Sequence, residues 1–352
     1  MERIVECVPN FSEGRDKGII DAIAGAIAEV DGVKVLHVDM GAAAHRTVIT
    51  FAGVPEGVCE AAFRAVKTAS ELIDMRVHHG EHPRIGATDV LPIVPVAGVT
   101  LEECAEMARE LSKRIYEELS IPVYCYEAAA FKAEHHNLED CRKGEYEALP
   151  EKIVSEKLMP DFGGGVMTEQ AARSGASVVG ARNFLIAVNF NLDTKDVDKA
   201  NAIACDVRAR GHAKRLGDPY KGKIVRDVDG RAVMVPGTLR AVKAIGWYIE
   251  EYGIAQVSMN ITDITQTALH VAYEEVCRKA EKQGCRVTGT EIIGLVPKCM
   301  LVDAGRYFAA KEGAVLDSEH ELVALAVERM NLSDLAPFEP KKRVIEYLLG
   351  LS

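Results

Sequence analysis

The chain is short of several things that mark large protein classes. Basic residues are the minority, 42 Lys and Arg against 53 Asp and Glu, giving a net charge of -11 over 352 residues. Replacing the counterions of a phosphate backbone needs a basic surplus, so a general nucleic-acid surface is excluded. A local basic pocket for a small anion is still compatible with that balance. No C-x-x-C pair occurs among the nine cysteines, which are odd in number and scattered from Cys7 to Cys299. That scatter argues against a disulfide framework or a zinc site and for buried thiols in a reducing cytosol. Long apolar runs are also lacking: Ile19 to Val30 is broken by Asp21 and Glu29 and falls short of the roughly 20 residues a membrane span needs. The N-terminus, Met-Glu-Arg-Ile-Val-Glu-Cys, has no basic region leading into an apolar stretch, so no signal peptide is expected. A cytoplasmic protein without a membrane partner is the expectation. What is present, 48% hydrophobic and 27% charged residues, is ordinary globular composition with room for two cores.

Hydrophobic periodicity sets the order of elements in the first half. Val5 to Phe11 reads as a strand, Asp16 to Val30 as a helix through Ile19, Ile20, Ile23 and Ile27, and Val33 to Val38 and Arg46 to Phe51 as strands. Pro55 to Ile73 is a helix with proline in its first turn, and Val90 to Val96 is a strand. The order β-α-β-β-α-β is that of a ferredoxin-like unit. A helix over Leu101 to Leu119 and a strand over Val123 to Tyr126 follow. The second half repeats the order: Asn189-Phe190 echoes Asn10-Phe11, and Glu291 to Pro297 echoes Asp89 to Pro95. Between them lie a helix from Lys195 to Arg208, strands from Arg240 to Trp247 and Gln256 to Ile261, and a helix from Thr265 to Lys282. The second pair of echoes lies further apart than the first, so the second half holds an insertion. It falls on residues 212–235, rich in Gly, Pro, Asp and Lys, as a hairpin excursion.

The expected fold class is therefore α+β, a duplication of two ferredoxin-like subdomains packed sheet to sheet, with a C-terminal helical tail. The expected bounds are 1–180, 181–298 with the insertion near 212–235, and 299–352. A cleft between the halves is the expected place for a ligand.

Arg76-Val-His-His-Gly-Glu-His-Pro-Arg84 is the most unusual stretch, holding three of the ten histidines and two arginines between a helix and a strand. A scaffold-held loop of ionisable groups suits proton transfer. A solvated loop is the blander alternative. A metal site using His78, His79, His82 and Glu81 is a third, although the spacing fits neither H-E-x-x-H nor a zinc finger. Asp39 and Arg46 flank a short Gly-Ala-rich crossing, where they would either orient a zwitterionic substrate or pair with each other at the surface. Gly163, Gly164, Gly165, Val166, Met167 and Thr168 through Gly175 form a Gly-rich segment without a phosphate-loop pattern, read as a linker whose amides can approach a ligand closely. In the second half Gln256, Ser258 and Asn260 alternate with Ala255, Val257 and Met259, so one strand face is polar.

These strings resemble the glutamate formimidoyltransferase family, the transferase half of formimidoyltransferase-cyclodeaminase. The resemblance runs in order along nearly the whole chain. It rests on Val5-Glu-Cys-Val-Pro-Asn-Phe-Ser-Glu-Gly14, Asp74-Met75, Gly80-Glu-His-Pro-Arg84, Gly86, Pro95, Gly144-Glu-Tyr-Glu-Ala-Leu-Pro150, Pro160-Asp-Phe-Gly163, Gly180-Ala-Arg182, Ile245-Gly-Trp-Tyr248 and Gly294-Leu-Val-Pro297. It implies two ferredoxin-like subdomains with folate between them, and a homodimer. A stand-alone transferase is expected, with a separate cyclodeaminase taking its product. The implied reaction, part of histidine degradation and one-carbon metabolism, moves the formimidoyl group of N-formimidoyl-L-glutamate to N5 of tetrahydrofolate. Tetrahydrofolate is the co-substrate and no metal is required.

The family's catalytic histidine falls on His82 and its folate segment on Gly163 to Gly175, a stretch that departs from the family pattern between its ends. The donor is a cationic amidine, so the site needs acceptors for N–H groups, a role suited to Asp39. His82 would carry a proton from N5 to the departing glutamate nitrogen. Arg46 and Arg84 would hold the glutamate carboxylates, with His79 and Asn10 beside them. Three rival readings are transfer of a formyl rather than a formimidoyl group, a metal-dependent hydrolase of formimidoylglutamate, and a folate carrier without catalysis.

Overall fold

The computed structural model describes residues 3–42, 44–80 and 83–351. The chain divides into two units, Met1–Asn183 and Phe184–Ser352.

The first unit opens with β1 (Ile4–Cys7) and β2 (Asn10–Phe11). The single strand expected over Val5 to Phe11 is split at Val8 and Pro9, because proline has no N–H for a ladder. Helix α1 (Lys17–Ala28) starts where Asp16 accepts from Gly18 and Ile19, and it buries Ile20, Ile23 and Ile27. Then come β3 (Val33–Gly41), β4 (Arg46–Gly53), α2 (Pro55–Leu72), β5 (Thr88–Ala97), α3 (Leu101–Leu119) and β6 (Val123–Glu127). Three short helices, α4 (Leu138–Cys141), α5 (Leu149–Lys152) and α6 (Glu169–Ser174), lead into β7 (Ser177–Ala181). The strands form one sheet in the order β3, β4, β1 with β2, β5, β7, β6. Only β7 pairs in parallel, with β5 and β6.

Alternation along β5, β6 and β7 feeds two cores. Leu91, Ile93, Val123 and Val179 join Phe11, Phe51 and Ile115 in the main one. Val90, Tyr124, Tyr126 and Val178 turn the other way and are met by Ile85, Leu149 and Ala176. Part of the face expected to await a sister sheet is thus covered by the unit's own chain.

The second unit runs β8 (Ile186–Leu192), α7 (Val197–Val207), the insertion, β13 (Val242–Ile249), β14 (Ile254–Ile261), α8 (Leu269–Lys282) and β15 (Val287–Ile293). The insertion is two nested ladders, β9 (His212–Ala213) on β12 (Met234–Val235) around β10 (Arg215–Leu216) on β11 (Lys223–Ile224). The main sheet has the order β13, β14, β8, β15, all antiparallel. Taken as first to fourth strands, both units share the order second, third, first, fourth. Helices α9 (Lys298–Glu312) and α10 (Glu319–Arg329) add Leu301, Phe308 and Val323 to this unit's core.

The helix expected over Lys341 to Leu349 is two short ones, α11 (Pro340–Arg343) and α12 (Ile345–Leu349). Between them buried Val344 takes an extended conformation and bridges to Val296.

On β14, Ala255, Val257 and Met259 enter the core, as the alternation predicts. Gln256 is fully buried on the opposite face. Its amide donates to Asn191 Oδ1 at 2.7 Å and its Oε1 accepts from the indole N–H of Trp247 at 3.1 Å, so this buried amide is satisfied within its own sheet.

Candidate active site in the first unit

The histidine loop leaves α2 and turns back into β5. Met75 N–H bonds the Arg173 carbonyl and Ala87 N–H bonds that of Ser174, which tie both ends of the loop to α6. Gly80 fits only as glycine, because a Cβ there would come 2.6 Å from the Ala44 carbonyl oxygen. His78 is buried, and its ring stacks on His45 at 4.2 Å. His78 Nε2 donates to the His45 carbonyl, leaving Nδ1 to accept from Arg84 Nε at 3.4 Å. Burial pushes His78 below its ordinary value, so the neutral ring is favoured. His79 is exposed. Glu81 and His82 lie outside the described residues.

His45 sits at φ 49°, in the left-handed region, directly before β4. Its Nδ1 faces the His79 carbonyl at 2.9 Å and its Nε2 faces Glu13 Oε1 at 3.1 Å. Both neighbours are acceptors, so this arrangement is complete when the ring carries both protons. Burial alone would raise Glu13, but N–H donors from Asp16, Arg15 and Gly14 together with the charge of His45 outweigh it and hold the carboxylate low. Glu13 therefore joins the β2 end, the α1 start and the histidine loop through one oxygen.

Arg46 enters the site from β4. Its Nε donates to Asn10 Oδ1 at 3.0 Å and its Nη1 to Asp89 Oδ2 at 2.5 Å. Asp89 is fully buried at the start of β5 and also accepts from Arg142 Nη1 at 3.0 Å and from the Ile85 N–H at 2.9 Å. Two guanidiniums on one carboxylate leave this corner with a local positive charge in an acidic chain.

The sequence reading placed Arg46 against Asp39 or the substrate. The structure pairs it with Asp89, while Asp39 is exposed on β3 and forms no ion pair among the described residues. Register makes Asp39 and Arg46 diagonal rather than direct neighbours on one sheet face, Asp39 lying opposite Val48 and Gly41 opposite Arg46, and the Arg46 guanidinium is drawn instead to Asp89 and Asn10. Arg84 departs further from expectation. Its Nη1 and Nη2 bond the two oxygens of Glu147 at 2.8 and 2.7 Å, and Nη1 also bonds Glu145 at 3.0 Å. The Glu147 contact holds Arg84 firmly protonated. Its fork is thus spent inside the protein, locking the loop to the segment after α4.

The Gly-rich segment borders the same loop. Gly163 packs on Tyr116, Gly164, Gly165 and Val166 are exposed, and Met167 contacts the smaller core. Thr168 caps α6 by accepting from Ala171. Gly175, at φ 69°, lies so close to Ile85 that a Cβ would meet its carbonyl oxygen at 2.2 Å. Among the described residues no group of three or more His, Cys, Asp or Glu is arranged to hold a metal ion, and no helix is long and apolar enough to cross a membrane.

The structure thus gathers Asn10, Arg46, His79 and the Gly175 end of the Gly-rich segment around one loop, and adds Glu13, His45, Asp89 and Arg142. Glu13 stands in the quoted N-F-S-E-G string and Arg142 just before G-E-Y-E-A-L-P, so proximity to those strings was the available signal.

Two α+β units of the same strand order, the first carrying a loop of ionisable groups, are the class that the fold and the site define. Residues 4–182 match the family model described as formiminotransferase domain, N-terminal subdomain, and residues 187–350 match formiminotransferase domain. The chain belongs to the formiminotransferase family. It is 44% identical over 349 residues to the formimidoyltransferase-cyclodeaminase of Sus scrofa, covering 99% of this chain and 60% of that protein. It is 39% identical to the glutamate formimidoyltransferases of Streptococcus pyogenes serotype M1, over 89% of this chain and 95% of that one, and of Thermoplasma acidophilum, over 91% and 98%. The chain therefore spans about 60% of the length of the cyclodeaminase relative.

Proposed function

We propose that the chain transfers the formimidoyl group from N-formimidoyl-L-glutamate to N5 of tetrahydrofolate, releasing L-glutamate and 5-formimidoyltetrahydrofolate. The observation that carries the reading is the corner at Asp89, where Arg46 and Arg142 share one buried carboxylate beside the histidine loop. The guanidinium of Arg142 there receives a carboxylate of the donor. This replaces Arg84, already bound by Glu147 and Glu145, as the substrate fork. Asn10 orients Arg46, exposed His79 flanks the donor, and Asp39 accepts from the amidine N–H groups.

Attack by N5 on the amidinium carbon gives a tetrahedral intermediate. His82 takes the N5 proton and returns one to the glutamate nitrogen as its C–N bond breaks, a step that uses no metal. Removing such a group costs roughly 10² to 10⁴ in rate. Folate lies along Gly163 to Gly175, whose glycines allow close backbone approach. The shared strand order of the two units supports a ferredoxin-like duplication, for which the proposed bounds are 1–180, 181–298 and 299–352. A cytoplasmic homodimer completes the reading.

The test follows tetrahydrofolate-dependent glutamate release from formimidoylglutamate and from formylglutamate, with wild type and His82→Ala. Release from the formimidoyl donor that collapses in the variant is expected. Preference for the formyl donor, or a folded His82→Ala protein with wild-type turnover, would sink it.

A further inference from the structure

We infer that the insertion of the second unit builds a binding site for a small, multiply charged anion. Together with the end of α7 it encloses a cavity of about 290 Å³ whose walls include Arg208, Arg210, His212, Arg215, Tyr220 and Met234. Three guanidiniums converge on this space and no lining residue is acidic.

Many arginines elsewhere in the chain are met by carboxylates, as Arg84 is by Glu147, Arg278 by Glu275 and Arg329 by Glu312, although Arg173 and Arg226 also bond carbonyls. Here the donors go to backbone carbonyls, which position a guanidinium without neutralising it. Arg208 Nε bonds the Gly211 oxygen at 2.8 Å and its Nη1 that of Ala244 at 3.4 Å, while Arg215 Nη1 bonds that of Gly222 at 2.7 Å. Arg210 is exposed and has no partner among the described residues.

Two carboxylates lie nearby, and Asp218 is close enough to feel the charge of Arg215. Asp206 accepts from the Tyr220 hydroxyl at 2.8 Å and from Lys279 at 2.9 Å, with His212 Nε2 at 3.7 Å. Asp218 takes the N–H groups of Tyr220 and Lys221. The C-terminus of α7 adds partial negative charge, which Arg208, as its C-cap residue, offsets.

Two guanidiniums positioned by carbonyls, Arg208 and Arg215, with exposed Arg210 beside them around so small a volume fit a compact body with several anionic oxygens, a phosphate ester or a di- or tricarboxylate. Arg and His in place of Lys favour planar, forked recognition over a diffuse field. The site lies wholly within the second unit and does not depend on the proposed transfer reaction.

Calorimetric titration of the full chain with inorganic phosphate, pyrophosphate and citrate, at fixed ionic strength set by chloride, tests it. Saturable one-site binding of at least one of these probes is expected. Preference among them separates a phosphate from a carboxylate ligand. Arg210→Gln, at an exposed position, and Arg210→Gln with Arg215→Gln should weaken binding by roughly tenfold or more while circular dichroism and melting stay those of wild type. Absence of saturable binding to all three probes, or wild-type affinity in both folded variants, overturns the proposal.

Discussion

Asp89 is buried with two guanidiniums and one backbone N–H on its two oxygens, so its removal leaves two mostly buried like charges without their shared carboxylate. Asp89→Asn is expected to lose about 3–5 kcal/mol in urea unfolding, the cost of breaking a buried ion pair from one side. Arg142→Gln leaves Arg46 to hold Asp89 and should spare the fold. Steady-state kinetics should show its KM for formimidoylglutamate raised by about tenfold with kcat nearly unchanged. Two groups of the site add to the acid limb of stability with the same sign. His78 is lowered from its ordinary value of 6.5, so the unfolded chain protonates first; its contribution is full above that value and fades as pH falls below it. Glu13 is lowered from 4.5, and its contribution is lost further down, as pH falls through the folded value. Melting temperatures followed against pH should lose the lower step in Glu13→Gln and keep the upper one. These partnerships were hidden in the sequence because they are made by register and approach. Arg46 and Asp89 stand 43 positions apart, and Arg142 and Asp89 stand 53 apart. The histidine loop and Arg46 were legible as candidates, while what each touches was not.

Among the elements, the legible ones carry their own end signals. Helix α3 was found with both ends correct, since Thr100 and Glu103 form a capping box and Ser120 closes it in the left-handed conformation. Helix α8 begins at Leu269 rather than Thr265, because Asp263 captures the Thr265 N–H and hydroxyl in a local turn. Pro9 and Val344 broke periodic stretches for reasons that depend on a neighbouring strand, which periodicity does not encode. The contact of Gly86 with Gly175 shows how such close approach organises the site. Gly175→Ala puts a Cβ against the Ile85 oxygen at a positive φ and should cost about 2 kcal/mol or more, with faster proteolysis around 163–175. Gly165→Ala also sits at positive φ, 104°, but in open space, and should cost only about 1 kcal/mol. Paired melting curves of the two variants separate steric contact from backbone strain.

At the scale of the molecule, each unit has its own hydrophobic core, one drawing on residues of 4–182 and the other on residues of 186–344. Residues 184–352 produced alone are therefore expected to unfold cooperatively in urea, and a broad, non-cooperative transition would show that this core needs the first unit. The net charge of -11 likewise resolves into local exceptions, a two-arginine corner on Asp89 in one unit and a three-arginine cavity in the other. The Trp247 contact with Gln256 has a practical consequence for that experiment. It is the chain's one tryptophan, about 38% exposed, with its indole N–H held by a buried amide. Tryptophan emission is thus an optical signal from the second unit alone, and Gln256→Leu should alter its wavelength without touching the first unit, so that one intact chain reports its two halves separately.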